Sequence, residues 1–313
     1  THFFHKNIVS GGVNLYSAII SFAIIVGADT ASTTVTVGNA APTISALALE
    51  RTTITLNENS YVWASSSMTV TDNNGCSEIT SVTAKLYFAS TTNSGGTLCT
   101  AEDRGCYTST CVATTTGTTC STTAVQYDCG FKLYYTAKPS DASAPDIDFK
   151  AGIWTVSATS TDGTDFGTAT NTTQTVEVGT LNALALSGNI AYPQTSANSN
   201  TGATNQAITV TNTGNTPIRG EISGDVMCTT DYPTCSGNKF GPTQQKFDLS
   251  DVTFASLTYT LSATATPATI PLVLATTTAT TTTVTDLTYW GIAIPSAQAA
   301  GAYTGQNTFT AVP

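Results

Sequence analysis

The sequence predicts an all-β protein: two tandem β-sandwich domains preceded by an apolar N-terminal segment. Three observations predict it. Apolar residues alternate with Thr and Ser at period two along much of the chain's 313 residues. Threonine, whose branched Cβ suits a pleated ladder, crowds these stretches. Asp, Asn and Gly interrupt them where strands have to turn.

The chain's one long apolar run, GVNLYSAIISFAIIVGADTA at 12 to 31, comes first. His2, His5 and Lys6 precede it, and Val26-Gly27-Ala28 forms the small-residue pattern that signal peptidase cuts, so residues 1–28 read as a signal peptide. The run contains Asn14, Ser17 and Ser21 and falls short of the roughly 20 apolar residues a spanning helix wants. If it is retained instead, it is a hydrophobic, helical segment, and residues 12–28 are the chain's expected contact with a membrane. A retained run would suit the core of a filament as in type IV pilins, but it lacks the acidic residue near its start that those proteins carry. Residues 29–39 follow as an extended arm, in which Ser32-Thr33-Thr34-Val35-Thr36-Val37 alternates like a strand ahead of the first domain. The arm is expected to leave its own domain and add to an adjacent subunit.

Domain one is expected over 40–179, opening with ISALALE at 44 to 50. Near its end, AGIWTVSATSTDGT points Trp154, Val156 and Ala158 one way and Thr155, Ser157 and Thr159 the other, with Asp162-Gly163 as the turn. NTTQTVEVG then offers Val176 and Val178 to the same face. LNALALS at 181 to 187 echoes ISALALE, which places a boundary near Gly179 and a second domain over 180–313. In that domain ITVTNTGNTPIRGEISG, 208 to 224, reads as a strand, an Asn-Thr-Gly-Asn turn and a strand.

These stretches carry a resemblance. The Trp154 strand, its turn and the Val176 strand resemble the last two strands of immunoglobulin-like sandwiches in bacterial surface proteins. Residues 208–224 look like the opening hairpin of such modules. IPSAQAAGAYTGQNTFTAV, 294 to 312, is similar to their closing hairpin, with Tyr303 and Phe309 as core anchors. Over roughly 40–312 the chain resembles two-domain surface proteins of uncultured bacteria of the candidate phyla radiation. The resemblance implies a fold and a cell-surface setting, and it names no activity.

Eight cysteines place the chain in an oxidising, extracellular compartment: Cys76, Cys99, Cys106, Cys111, Cys120, Cys129, Cys228 and Cys235. None forms a C-x-x-C pair, and both histidines precede the apolar run, so disulfides are expected and a zinc site is not. Sequence alone does not fix the pairing. Short loop closure favours Cys99 with Cys106, Cys111 with Cys120 and Cys228 with Cys235, leaving Cys76 and Cys129 to clamp the ends of the excursion.

Charge and residue types exclude several functions. With 10 Lys+Arg against 20 Asp+Glu the chain offers no basic face for phosphates, so nucleic acid is not a partner. No histidine follows His5, so a Ser-His-Asp or Cys-His centre cannot be built in the folded part. Asp141, Asp146 and Asp148 could form a paired-carboxylate site but read more simply as a solvated loop. Asp72-Asn73-Asn74-Gly75 and Asp162-Gly163-Thr164-Asp165 could offer oxygens to calcium, yet they are also what turns demand. Trp63, Trp154 and Trp290 could form a sugar platform, although Trp154 sits on an apolar strand face and reads as core. Thr tracts, among them ATTTATTTTVT at 275 to 285, and the sequon at Asn171 are candidate glycosylation sites. No enzyme activity, cofactor or metal is expected, and neither a wall-sorting signal nor an apolar tail suggests a C-terminal anchor.

The function these observations predict is structural: an extracellular, self-assembling subunit of a cell-surface filament or surface layer, with copies of itself as partner. A secreted adhesin or carbohydrate-binding module, with host or cell-surface glycans as partner, is the alternative. An exposed row of aromatics on one sheet would favour the latter.

Overall fold

In the computed structural model, residues 31–89, 104–114, 123–146, 150–171, 173–264 and 272–313 are described. The apolar run up to residue 30, Cys99, Cys120 and Asp148 lie outside them. The chain divides into two units, Thr1–Gly38 and Asn39–Pro313. In the first, residues 31–38 form no strand despite their alternation, and Val35 and Val37 are 86% and 77% exposed. Asn39, placed by its sequence at the end of the arm, instead belongs to the larger unit: its amide donates to Asp162 at 2.8 Å and Asp165 at 3.0 Å.

Among the described residues the larger unit is all-β, with three short 3-10 turns between its strands. Among the described residues no helix is long and apolar enough to cross a membrane. Its first half contains β1 (Thr43–Leu49), β2 (Thr53–Ile54), β3 (Tyr61–Thr71), β4 (Ser81–Ala89), β5 (Cys106–Thr110), β6 (Val112–Ala113), β7 (Ala124–Tyr134), β8 (Ile153–Thr161), β9 (Phe166–Thr170) and β10 (Glu177–Val178). Two four-stranded sheets result, ordered β1-β3-β7-β6 and β5-β4-β8-β9, with β10 and β2 forming a small parallel pair. The inward residues of β3 and β7, including Met68, Val70, Phe131 and Leu133, share one core with Leu86 of β4 and Trp154, Val156 and Ala158 of β8. Period-two alternation produces this directly, since each strand gives every second side chain to the core.

The second half contains β11 (Leu184–Ser187), β12 (Ser199–Asn200), β13 (Gln206–Asn212), β14 (Ile218–Gly224), β15 (Met227–Cys228), β16 (Lys239–Phe240), β17 (Gln245–Asp248), β18 (Tyr259–Thr260), β19 (Val273–Leu274), β20 (Thr285–Ile294) and β21 (Asn307–Val312). One sheet runs β11-β13-β20-β17-β18 with β12 also on β20, and another runs β19-β14-β21. Their second core gathers Ile208, Val210, Phe247 and Trp290 from the larger sheet and Ile218, Ile222 and Leu274 from the smaller. β1 and β11, from the echoing stretches ISALALE and LNALALS, each pair antiparallel with a longer strand, β3 and β13.

Three sequence expectations about pairing need correction. Residues 208–224 do form strand, turn and strand, but β13 and β14 lie in different sheets, so the turn crosses the core instead of closing a hairpin. The same holds for 294 to 312, where β20 and β21 also lie in different sheets. Phe309 does pack on the second core, whereas the Tyr303 ring lies tilted against Phe240 with ring centroids 4.9 Å apart. Finally, Val176 and Val178 are buried as expected and Val176 bridges Trp154 of β8 antiparallel, but the strand that follows the Asp162-Gly163 turn and pairs along β8 is β9, and β10 pairs with β2. Alternation specifies which face a residue takes; it does not specify which sheet a strand joins.

The two halves meet through buried polar groups. Asn215, in the turn after β13, is fully buried, and its Nδ2 donates to the carbonyls of Ala137 and Gly179, both at 3.0 Å. Its Oδ1 accepts from the Leu181 N–H at 2.7 Å. Arg104 donates through Nε to the Thr136 carbonyl at 2.8 Å and through a terminal nitrogen to the Asn215 carbonyl at 2.9 Å. The turn comes this close because Gly214 lacks a side chain: a Cβ there would lie 2.1 Å from the Leu181 carbonyl oxygen. Thr213 adds a hydroxyl bond to Glu58 at 2.7 Å.

Cysteine pairing follows strand register. β6 runs antiparallel to β7 with Val112 opposite Asp128, which brings Cys111 across from Cys129, and the two are bonded. That bond overturns the expected Cys111–Cys120 and Cys76–Cys129 bridges. Cys228 pairs with Cys235 as expected, Cys76 and Cys106 are also disulfide-bonded, and no described cysteine is free. By loop-closure entropy, replacing Cys111 and Cys129 with Ala should cost about 3 kcal/mol and replacing Cys228 and Cys235 about 2 kcal/mol. Urea unfolding midpoints of the two double variants, compared with the parent, check the size and the order.

Candidate functional site

The outer face of the β1-β3-β7-β6 sheet carries an aromatic cluster. β3 and β7 pair without a slip from Tyr61 opposite Tyr134 to Thr71 opposite Ala124, so Tyr61 and Trp63 share a face with Lys132 and Tyr134. Opposite and diagonal partners on one face come within reach of long side chains. Trp63 is 58% exposed and Tyr61 39%. Their rings meet edge to face at 6.0 Å, and Tyr61 meets Tyr134 in the same way at 6.1 Å. The indole lies over Gly130, where a Cβ would come within 3.5 Å of the ring. Lys132 sets its ammonium 4.0 Å from the Tyr61 ring centre and 5.2 Å from that of Tyr134, within cation–π range of both.

Beside this cluster is an open hollow of about 390 Å³, lined by Asn59, Ser60, Tyr61, Lys132, Tyr134 and Tyr135. Thr280, from the Thr tract of the second half, completes the lining. The backbone of Asn59 is left-handed, φ 48°, a conformation Asn tolerates better than most residues. Tyr135 is almost wholly buried, and its hydroxyl has no hydrogen-bond partner among the described residues. Burial raises the pKa of that phenol, which therefore stays protonated as a donor. Among the described residues no carboxylate lines the hollow. A larger cleft of about 810 Å³ lies in the second half between the irregular segments 190–197 and 298–303, and among the described residues no charged group lines it.

Of the three tryptophans, the structure brings only Trp63 to the surface. Trp154 is in the first core, stacked on Tyr107 at 5.8 Å, and Trp290 is in the second, stacked on Phe247 at 4.8 Å. Of the three clustered carboxylates, Asp141 accepts both the N–H and the hydroxyl of Thr180, Asp146 is exposed, and Asp148 lies outside the described residues. Among the described residues no group of three or more His, Cys, Asp or Glu is placed to hold a metal. Both stretches that could offer oxygens to calcium, 72–75 and 162–165, act as turns. Asp72 accepts the Asn74 N–H at 2.8 Å, and Asp162 accepts those of Thr164 and Asp165. The Asp165 N–H first, then the Asn39 amide, hold the Asp162 carboxyl below its usual pKa.

Asn171 is 7% exposed. Its Nδ2, the atom a glycan would take, donates to the Leu47 carbonyl at 2.9 Å and to Gln174 at 3.1 Å. A sugar on that nitrogen leaves it a single N–H, so at least one of the two bonds would be lost. In the Thr tract, Thr277 is buried with its hydroxyl on the Asn212 carbonyl at 2.7 Å, while Thr278, Thr281, Thr282 and Thr283 are exposed.

Sequence reading missed Tyr61, Lys132, Tyr134 and Asn59. The signal was present in YVW at 61 to 63 and KLY at 132 to 134, where residues two apart share a face, but only pairing of β3 with β7 puts the two stretches side by side. No protein-family profile matches this chain, and no curated protein matches it.

Proposed function

We propose that this chain is an extracellular structural protein of the cell surface: two tandem immunoglobulin-like sandwiches, 40–179 and 180–313, that polymerise into a filament or surface layer. The observation that carries the reading is the arm. Residues 31–38 have a strand's alternation and no strand, with Val35 and Val37 in water. Such a segment gains its missing ladder by joining an open edge of another copy, and β1, β9 and β21 each end their sheets among the described strands. Disulfides, a surface poor in charge and a polar seam that fixes one half against the other suit a subunit that bears load outside the cell. The exposed aromatic face favours a second reading, a secreted adhesin or carbohydrate-binding module.

Deleting residues 1–38 keeps Asn39 and its bonds, so the remaining chain should stay folded and lose assembly. The charged variant Val35→Asp/Val37→Asp separates the arm from the apolar run and should also stay monomeric. Light scattering and negative-stain microscopy provide the measurement. Polymers formed equally by parent, deletion and charged variant would overturn the reading.

A further inference from the structure

We infer that the face formed by Tyr61, Trp63, Lys132 and Tyr134, with the adjoining hollow at Asn59 and Ser60, is a saccharide-binding site. The inference gives a ligand class to the second reading above and is independent of whether the chain polymerises. Exposed rings of this size are costly to leave in water unless something covers them, and a flat indole over a glycine offers a platform rather than a slot.

The chemistry around the rings narrows the occupant. A cationic ligand is disfavoured, because Lys132 already occupies the ring faces that would attract it and would repel a second positive charge. A purely aliphatic ligand would leave the amide of Asn59, the hydroxyl of Ser60 and the ammonium of Lys132 desolvated and unpaired. A pyranose ring satisfies both demands. Its C–H face stacks on an aromatic ring, and its hydroxyls accept from Lys132 and exchange hydrogen bonds with Asn59 and Ser60. The hollow is large enough for about one sugar ring, and the Tyr61–Trp63 edge extends past it, so an oligosaccharide fits better than a monosaccharide. With no carboxylate in the lining among the described residues, both neutral and uronate sugars are admitted.

Affinity electrophoresis of the full chain through native gels containing xylan, soluble β-glucan, chitosan-free chitin oligomers or alginate tests this. At least one of these should retard the parent protein. Trp63→Ala, an exposed change that leaves the thermal transition in place, should weaken that retardation about tenfold, the worth of one stacking contact. Lys132→Met should abolish binding of alginate while a neutral polymer is held within a few-fold, which separates the charged from the neutral ligand. Retardation by none of the four, or equal retardation of parent and Trp63→Ala, overturns the site. Binding of a peptide spanning residues 29–39 to this face, lost in Trp63→Ala and with no retardation by sugars, overturns it in favour of an assembly contact.

Discussion

Replacing Asn215 with Asp is expected to be among the most damaging single changes in the molecule, although it alters one atom's chemistry and almost nothing of its shape. The amide nitrogen of Asn215 is the donor that the buried carbonyls of Ala137 and Gly179 share. A carboxylate has no donor, so both carbonyls lose their partner and face a negative charge in a site closed to water. Each orphaned buried group costs about 1 to 3 kcal/mol, so Asn215→Ala should cost about 3 kcal/mol or more, and Asn215→Asp at least as much at neutral pH. The acid variant also carries a signature that Ala lacks. Burial and the facing Ala137 and Gly179 carbonyls raise the introduced carboxyl's folded-state pKa above the unfolded value near 4, against the Leu181 N–H and the Arg104 guanidinium, which favour the charged form. Its protonated form can donate one of the lost bonds, so the stability it contributes is present below about pH 4 and is lost as pH rises through the folded pKa. Urea unfolding of parent and variant at pH 4 and pH 7 measures this. The gap between Asn215→Asp and the parent should narrow at the lower pH, while the gap for Asn215→Ala stays the same.

Nothing in the local sequence marks Asn215. Within ITVTNTGNTPIRG it reads as one turn residue among several, and the turn is indeed where it lies. Its role depends on Ala137, Gly179 and Leu181, which arrive from elsewhere in the chain, so periodicity has no access to it. Trp154 is the opposite case. Its burial, and that of Val156 and Ala158, could be read from alternation alone because facing is a local property of a strand. The disulfides fall between the two. Oxidation was legible from residue types, but the partner of Cys111 was set by the β6–β7 register, and short loop closure pointed to the wrong cysteine. The aromatic face shows the same division: YVW gives two rings on one side of a strand, and only the ladder from Tyr61–Tyr134 to Thr71–Ala124 adds Lys132 and Tyr134 to them.

Trp154→Ala should unfold the first half at markedly lower denaturant, and its effect on the second half measures how firmly the two are joined. The indole is fully buried between Tyr107, stacked at 5.8 Å, and Phe88, edge-on at 5.9 Å, and its Nε1 donates to the Lys138 carbonyl at 3.0 Å. Removing it leaves a cavity that close-packed neighbours refill only in part, a loss of about 3 to 5 kcal/mol. Trp154→Phe keeps much of the volume and orphans only the Lys138 carbonyl, so it should cost roughly 1 to 3 kcal/mol. Trp290 makes the wider consequence visible. It is buried against Phe247 in the other core, and Trp63 is already largely in solvent, so in Trp154→Ala the main change in tryptophan emission on unfolding comes from the second half. If the seam at Asn215 couples the halves, that emission should shift at the lowered denaturant concentration that unfolds the first half, although every residue around Trp290 is unchanged. Adding Asn215→Ala should release the coupling, so that the Trp290 transition lags behind loss of far-UV circular dichroism from the first half. Coincident transitions in the double variant, or separate ones in Trp154→Ala alone, would show that the seam positions the halves without making them one cooperative unit.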